Sequence, residues 1–435
     1  MPEKSLPGAL SNGSPSESAY LRPLSFRGMD RAFAWVAGCV LWLTFAKGFR
    51  FPGLWAATHF TFNYSQGFAK RALVGELARR LFGDDVYRYN GFVAFSFLTL
   101  FATFAALFVG VRRALRTHTD WSFRAVLLVA CASPGTIFLV HIVGYFDFIG
   151  LLAVLGLLHW AVRKKGRFAA WYGITAVGLI LPFVHEALVV MFGPTALFLA
   201  FCHWLRALGE AGPTPRQWLW FAAHTLLATL LVAGVVIGIS VLGVPHAQAL
   251  QRFAAQHANF ALRPDAFAVL TQSTYRNFTE VVPGYWSLPV PRMEGTAGQV
   301  AFLPGFLFVV AFGIRELLAA HGTRWLKAVL CSLFVAAALA PEAMNLVGWD
   351  WQRWNGMALT TALICIVTYK LYFPSAPRTR PSLRFVTLGV LLTAIGLSST
   401  IKLYDDFKVQ FFPYEQQLEF LRLVVDTGFR YRPRE

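Results

Sequence analysis

The chain has 435 residues, of which 56% are apolar and 14% are charged, and its mean hydropathy is +0.52. A soluble protein of this length carries more charge and shorter apolar runs, so the composition excludes a soluble globular domain. The net charge of +17 does not indicate nucleic-acid binding, because no basic run has the context of a binding module. A basic excess is instead typical of the cytoplasmic loops of membrane proteins.

Apolar runs recur along most of the chain and approach the ~20 residues that a helix needs to cross a bilayer. Because lipid offers a backbone no hydrogen-bond partners, these runs are predicted to be helices. The sequence therefore predicts an all-α fold, a polytopic transmembrane helical bundle with eleven spans. The spans are predicted at residues 32–46, 91–111, 125–141, 146–162, 168–184, 187–205, 218–244, 300–314, 326–340, 357–373 and 385–401.

The segments outside these spans divide into two groups by charge. One group, which includes the N-terminal tail, holds 21 Lys and Arg against 6 acids, and the other holds 18 against 16. The first group is therefore predicted to be cytoplasmic and the second periplasmic. The N-terminal tail is polar and rich in Ser, Pro and Gly, which is typical of disorder. The predicted organisation is a disordered cytoplasmic tail (1–30), a transmembrane bundle (31–401) with periplasmic loops at 47–90, 245–299 and 341–356, and a periplasmic C-terminal tail (402–435).

The five cysteines all fall within predicted spans, and their spacing matches neither a metal site nor a disulfide framework. We interpret them as small apolar packing residues. They are Cys39, Cys131, Cys202, Cys331 and Cys365.

The first periplasmic loop contains the segment SQGFAKRALVGELARRLFGDD, residues 65–85, which has the pattern of an amphipathic helix on the membrane surface. One interpretation is a lipid-anchored helix whose basic residues touch lipid phosphates. The other is a platform for an anionic substrate, in which Lys70 and Arg71 bind a phosphate. Glu76 would then be a candidate base that its Arg neighbours keep ionised.

Ionisable residues also stand where two pairs of spans meet on the predicted periplasmic side. Asp147 can simply cap a helix, and His185 with Glu186 can be an ordinary polar turn. HEALV is not a zinc-protease motif, because Val189 stands where the second His would be. His141 lies on the same side, and a carboxylate beside an imidazole suits general base catalysis. We therefore predict that these residues converge, with Asp147, His185 and Glu186 catalytic and His141 binding substrate.

The third periplasmic loop contains GWDWQRWNG, residues 348–356. Its tryptophans can form an aromatic belt at the membrane interface. Alternatively, Trp351 and Trp354 stack on a sugar ring while Arg353 binds a phosphate with both arms of its guanidinium group. In that interpretation Asp350 is a further substrate-binding residue.

This layout resembles the polytopic glycosyltransferases of the GT-C type and, more loosely, the Wzy-like and ligase-type polysaccharide enzymes. The resemblance is carried by NYSQGFAKRALVGELARRL at 63–81, YFD at 145–147 and HE at 185–186. It implies a similar number of spans, chemistry at the periplasmic face and a polyprenyl-phosphate sugar donor. Such enzymes often place an acid just after the first span, whereas AKGFRFPGLW at 46–55 has none. The catalytic carboxylate is therefore left open among Asp147, Glu186 and Glu76.

The leading hypothesis is a glycosyltransferase or polymerase of the bacterial inner membrane, with a polyprenyl-linked sugar donor and a glycan or lipid acceptor. A carboxylate would deprotonate the acceptor, and basic groups would stabilise the departing lipid phosphate. A divalent metal is compatible with this chemistry, but no ligand motif supports one. The alternatives are a transporter or flippase for an anionic lipid or solute, and a non-catalytic membrane assembly protein. The lack of acids at mid-membrane depth disfavours the transporter.

Overall fold

The computed structural model describes residues 29–83, 87–117, 120–164, 169–209, 213–242, 247–271, 279–280, 282–320, 322–348, 350–373, 382–399 and 403. In these residues the chain is all-α, which confirms the predicted fold class. The predicted tails lie outside the described residues, apart from positions 29, 30 and 403. The helices are α1 (Met29–Gly48), α2 (Leu54–Phe60), α3 (Leu73–Phe82), α4 (Tyr89–Thr117), α5 (Trp121–Ala132), α6 (Pro134–His141), α7 (Asp147–Ala161), α8 (Ala169–Val184), α9 (Ala187–Leu208), α10 (Pro215–Leu242), α11 (Ala247–His257), α12 (Pro264–Ala268), α13 (Val282–Ser287), α14 (Pro289–Ala319), α15 (Arg324–Leu339), α16 (Trp351–Tyr372) and α17 (Leu383–Ser398), with a 3₁₀ helix at Glu342–Leu346.

Long apolar helices indicate a multi-pass membrane protein, but the prediction of eleven spans is not supported. Among the described residues, four helices are long and apolar enough to cross a membrane, namely α4, α9, α10 and α14. The bent pair α5 and α6 makes a fifth if it is counted as one span. Each predicted span overlaps one helix, except that the span predicted at 125–141 covers the two helices α5 and α6. However, helices such as α7 and α17, with 15 and 16 residues, extend only about 22–24 Å at 1.5 Å per residue, less than the ~30 Å hydrocarbon core.

The bend between α5 and α6 lies at Ser133 and turns the chain by 47°. Pro134 lacks the backbone N–H that would continue the hydrogen bonding of α5, so it begins a new helix instead. The Ser133 hydroxyl caps that helix by accepting from the Gly135 N–H over 3.2 Å. The bend directs α6 along α16.

Helix α16 is the centre of the bundle. All of its residues are buried, and α4, α6, α9, α14 and α15 pack around it. By contrast, only 11% of the apolar window of α10 is buried, so the side chains of that helix face outward. The core is therefore organised around α16, although hydropathy alone does not single it out.

Each end of α16 carries a basic residue that binds acids from other helices. At the C-terminal end, Lys370 Nζ lies 2.9 Å from Glu316 Oε2 and 3.6 Å from Asp120 Oδ2. Arg353 occupies the other end, 17 residues and about 26 Å away along the helix axis. The charge pattern predicts that the three segments containing Asp120, Glu316 and Lys370 are all cytoplasmic. In the structure, Lys370 binds both acids.

Candidate functional site

The first turn of α16 forms a buried ion pair with the start of α7. Arg353 donates from Nη2 to Asp147 Oδ1 over 2.9 Å and from Nε to Oδ2 over 2.5 Å. Neither side chain is more than 3% exposed. A planar guanidinium that meets both carboxylate oxygens is the bidentate arrangement in which Arg binds most specifically. The N-cap of α7 is Phe146, not Asp147, and the partner of Asp147 lies 206 residues away in the chain.

The remaining surface of Arg353 is also occupied. Its Nη1 lies 3.4 Å from Asp350 Oδ2, and its guanidinium stacks over the rings of Trp354 at 4.5 Å and Tyr145 at 5.1 Å. The side chain of Asp350 is 27% exposed, far more than that of Asp147. Burial raises the pKa of Asp350, and the charge of Arg353 opposes that shift. Asp350 is therefore the accessible acid beside Arg353.

The turn before α7 fixes the position of this pair. Gly144 has φ +95°, in the left-handed region that favours glycine. A Cβ at this position would lie 2.7 Å from the side chain of Pro52. The next residue, Tyr145, stacks on Trp55 with ring centroids 5.4 Å apart. A tight glycine turn against the α1–α2 connection thus places Tyr145 and Asp147.

A second bidentate ion pair joins Arg71, just before α3, to Glu186 at the α8–α9 junction. Arg71 Nη2 lies 2.5 Å from Glu186 Oε1, and Nε donates to Oε2 over 2.9 Å. Burial opposes ionisation, but the charge of Arg71 holds the pKa of Glu186 well below its usual range. Arg71 has φ +62°, which is unusual for a residue other than glycine. Backbone strain of this kind is concentrated at functional sites.

Two histidines connect the ion pairs. His185 Nδ1 accepts the Ala187 N–H over 3.1 Å, which matches the neutral imidazole. Burial lowers the pKa of His59 and of His185, and the charges of Arg71 and Arg353 both lower it further. His185 Nδ1 also lies 3.7 Å from Glu186 Oε2. Because both imidazoles lie within the electrostatic influence of both arginines, we treat the two pairs together and call them the arginine cluster. Its members are Arg71, Glu186, Arg353, Asp147, His59 and His185.

Lys70 adds a third basic side chain beside this cluster. Burial lowers the pKa of Lys70, the nearby carboxylate of Glu186 raises it, and the charge of Arg71 lowers it. The side chain is buried in the described structure. The predicted phosphate-binding pair Lys70 and Arg71 therefore lies next to Glu186.

Two predicted site residues lie elsewhere. His141 Nδ1 is 3.3 Å from the Gly48 carbonyl oxygen, which places the ring between α1 and α6. Trp351 meets the ring of Phe138 edge-on at 5.4 Å and faces Gly298 on α14. Their contacts are those of helix packing. Trp354, by contrast, lies on Arg353 and is part of the site region.

Glu76 has a local set of partners on α3. Arg80 Nε donates to Glu76 Oε1 over 2.6 Å, Arg79 Nη2 donates to the same oxygen over 3.1 Å, and the Tyr64 N–H donates to Oε2 over 3.1 Å. Burial would raise the pKa of Glu76, but these hydrogen bonds lower it to about 2. The carboxylate therefore connects α3 to the segment after α2, which makes a structural role stronger than the predicted role as base.

Replacing Glu76 with glutamine should lower thermal stability near neutral pH and have less effect in acid. The depressed pKa means that the contribution is fully present above the unfolded value of 4.5 and is lost as the pH falls towards about 2. Thermal unfolding should therefore separate E76Q from the wild type near neutral pH by more than at about pH 3. Arg80→Gln, at a side chain that is 72% exposed, should cost less than E76Q. An equal gap at both pH values would contradict this assignment.

Glu342 was not among the predicted site residues. It begins the 3₁₀ helix before α16, and burial raises its pKa to about 7, although hydrogen bonds with Gln299 and Asn345 oppose the shift. The only sequence signal for Glu342 is that it is an acid in a predicted periplasmic loop, within the segment PEAMN, residues 341–345. Asn345 lies in this same segment, whereas Gln299 lies on α14.

The described residues include no group of three or more His, Cys, Asp or Glu that could hold a metal ion. The candidate site contains the guanidinium groups of Arg71 and Arg353, the ammonium group of Lys70, and the carboxylates beside them. Such groups can bind a phosphate and accept a proton.

Comparison with known proteins does not identify a family. No protein-family model matches the chain, no curated protein matches it, and no solved structure matches it. The resemblance to GT-C enzymes therefore rests on the sequence motifs alone.

Proposed function

We propose that this chain is a membrane glycosyltransferase or polymerase that uses a polyprenyl-phosphate-linked sugar. The observation that carries the proposal is the arginine cluster, which gathers two bidentate ion pairs at one end of an apolar helical bundle. A lipid phosphate beside a bilayer has both the charge and the geometry that such groups recognise.

The two ion pairs have different roles in this proposal. Arg353 and Asp147 are 3% and 0% exposed and hold α16 to α7. Arg71 and Glu186 are 13% and 22% exposed, so a ligand can reach them. A phosphate presents two oxygens to a guanidinium as a carboxylate does. The donor phosphate would therefore replace Glu186 on Arg71, with Lys70 as a second cation.

The reaction then needs one bond exchange and one proton acceptor. The acceptor hydroxyl oxygen bonds to the anomeric carbon of the sugar, and the bond from that carbon to the lipid phosphate breaks. The bonding electrons leave with the phosphate, whose charge Arg71 and Lys70 stabilise. A carboxylate of the site takes the hydroxyl proton.

The proposed location is the bacterial inner membrane, with the arginine cluster at the periplasmic face and the N-terminus in the cytoplasm. The charge pattern supports this orientation, since the segments predicted to be cytoplasmic have 21 basic residues against 6 acids. Asp147, Glu186 and Arg353 all come from segments on the opposite side. The polyprenyl-linked donor would enter from the lipid, and a glycan or lipid acceptor would meet it there.

Replacing Lys70 with glutamine should weaken binding of undecaprenyl phosphate on the order of 10- to 100-fold, the value of one charge-assisted hydrogen bond. The measurement uses the purified full chain in nanodiscs of phosphatidylethanolamine and phosphatidylglycerol. Lys327→Gln is the matched control. Lys327 is an exposed lysine that donates to the Leu318 carbonyl oxygen, near the Lys370 end of α16, and its replacement should leave binding unchanged.

Wild-type protein that fails to bind undecaprenyl phosphate would contradict the proposed function. Glycan product in membranes of a strain that lacks the gene, complemented with the wild-type chain, separates an enzyme from a flippase. Binding without any product would favour the transporter or assembly alternative.

A further inference from the structure

Glu342 lies at the same end of the bundle as the arginine cluster. Its 3₁₀ helix packs against α16 and α9. Helix α16 begins with the turn that carries Arg353, and α9 begins directly after Glu186. The 3₁₀ helix directly precedes α16, so Glu342 lies near the start of α16.

The carboxyl group of Glu342 is surrounded by side-chain amides. Asn345 Nδ2 donates to Glu342 Oε2 over 2.9 Å. The amide of Asn355, two residues after Arg353, has one terminal atom 2.6 Å from Glu342 Oε1. Gln299 Nε2 on α14 lies 3.0 Å from the same Asn355 atom. Three neutral groups from three segments thus face this acid.

The Asn355 amide, with its nitrogen beside the acid, donates to the Glu342 carboxylate. A side-chain amide carries both a donor and an acceptor and has no net charge. The amides around Glu342 therefore do not hold it in one protonation state, as a neighbouring arginine would.

Two other acids of the region are held as carboxylates. Glu186 and Glu76 each accept hydrogen bonds from an arginine, which lowers the pKa of the acid and weakens it as a base. Among the described residues, no charged or titratable side chain contacts the carboxyl group of Glu342, and its described neighbours are amides. Its pKa of about 7, raised by burial, is close to the operating pH of a cell.

We propose that Glu342 is the catalytic residue that takes the proton of the acceptor hydroxyl. This rests on the proposed function and assigns the base within it. The oxygen–hydrogen bond of the acceptor breaks as the new bond to the sugar forms, and the proton moves to the Glu342 carboxylate. The proton then leaves to solvent before the next turnover.

Glu342→Gln should reduce glycan product by about 10²- to 10⁴-fold, the usual cost of losing a positioned base. Binding of undecaprenyl phosphate in the same nanodiscs should stay within about twofold of the wild type, because the ligands of the phosphate are untouched. Glu342→Asp should recover part of the product. The wild-type infrared spectrum should contain the C=O band of a protonated carboxylic acid that disappears as the pH rises through about 7, and E342Q should lack it.

Three outcomes overturn the inference. E342Q with wild-type product would remove Glu342 as base while leaving the proposed function intact. Loss of product together with loss of undecaprenyl phosphate binding would assign Glu342 a structural role. A wild-type chain that neither binds this lipid nor forms product would remove the proposed function and the inference with it. Selective loss of product, with the titrating band assigned to Glu342, supports the proposal.

Discussion

Replacing Arg353 with methionine should destabilise the folded protein by about 3–5 kcal/mol, the usual cost of removing one partner of a buried ion pair. The variant leaves Asp147, which is fully buried, without its bidentate partner. It also removes the stacking of the guanidinium on Trp354. Denaturant-induced unfolding of the purified chain in detergent micelles measures the loss.

The control for this prediction is an exposed pair of the same chemistry. Arg263 and Asp265 are 49% and 56% exposed, so Arg263→Met should cost only about 0–1 kcal/mol. Adding Asp147→Leu to Arg353→Met should restore much of the stability, because apolar side chains can replace a buried pair. Equal losses from Arg353→Met and Arg263→Met would mean that the buried pair is not what holds α16 to α7.

Replacing Lys370 with methionine should have an effect of similar size, again about 3–5 kcal/mol. Lys370 is 1% exposed and is shared by two acids that are each 8% exposed. Its ammonium group also lies 4.9 Å from the ring centroid of Phe123. The substitution removes the cation that Glu316 and Asp120 share. The same unfolding measurement applies.

A second substitution makes this result specific. Glu316→Gln in the Lys370→Met background removes one of the two carboxylate charges that Lys370 neutralises in the wild type. It should therefore recover part of the lost stability. Lys327 is a lysine near the same end of the bundle. Lys327→Gln should change the free energy of unfolding by less than about 0.5 kcal/mol. Additive effects of Lys370→Met and Glu316→Gln would contradict the ion triad.

The helices could be located from the sequence, but the number of membrane crossings could not. Apolar runs predict helices because a buried backbone must satisfy its own hydrogen bonds. The same runs do not distinguish a helix that faces lipid from one enclosed by other helices. Helix α16 carries Arg353 and Lys370 at its ends and is buried by protein along its whole length. Its environment depends on tertiary packing, which a hydropathy pattern does not report.

The sequence predicted where the candidate site residues lie along the bundle, but it did not predict which arginine each acid binds. Short connections between apolar runs bring Asp147, His185 and Glu186 to one end of the bundle, and the structure places them there. Their arginine partners lie 206 residues from Asp147 and 115 residues from Glu186, so no local pattern links them. The role inferred for Glu342 likewise depends on amides that only the fold brings together.

The charged ends of α16 impose an order on how the chain is made. An arginine or lysine within a membrane helix costs roughly 2.5–3.5 kcal/mol at the centre when it enters alone. Asp120, Asp147 and Glu316 all precede α16 in the chain, so their carboxylates leave the ribosome first. The helix thus emerges last among its partners and meets acids that are already present. A nascent chain that stops before Trp351 would lack both Arg353 and Lys370, the cations that these three acids bind in the folded structure.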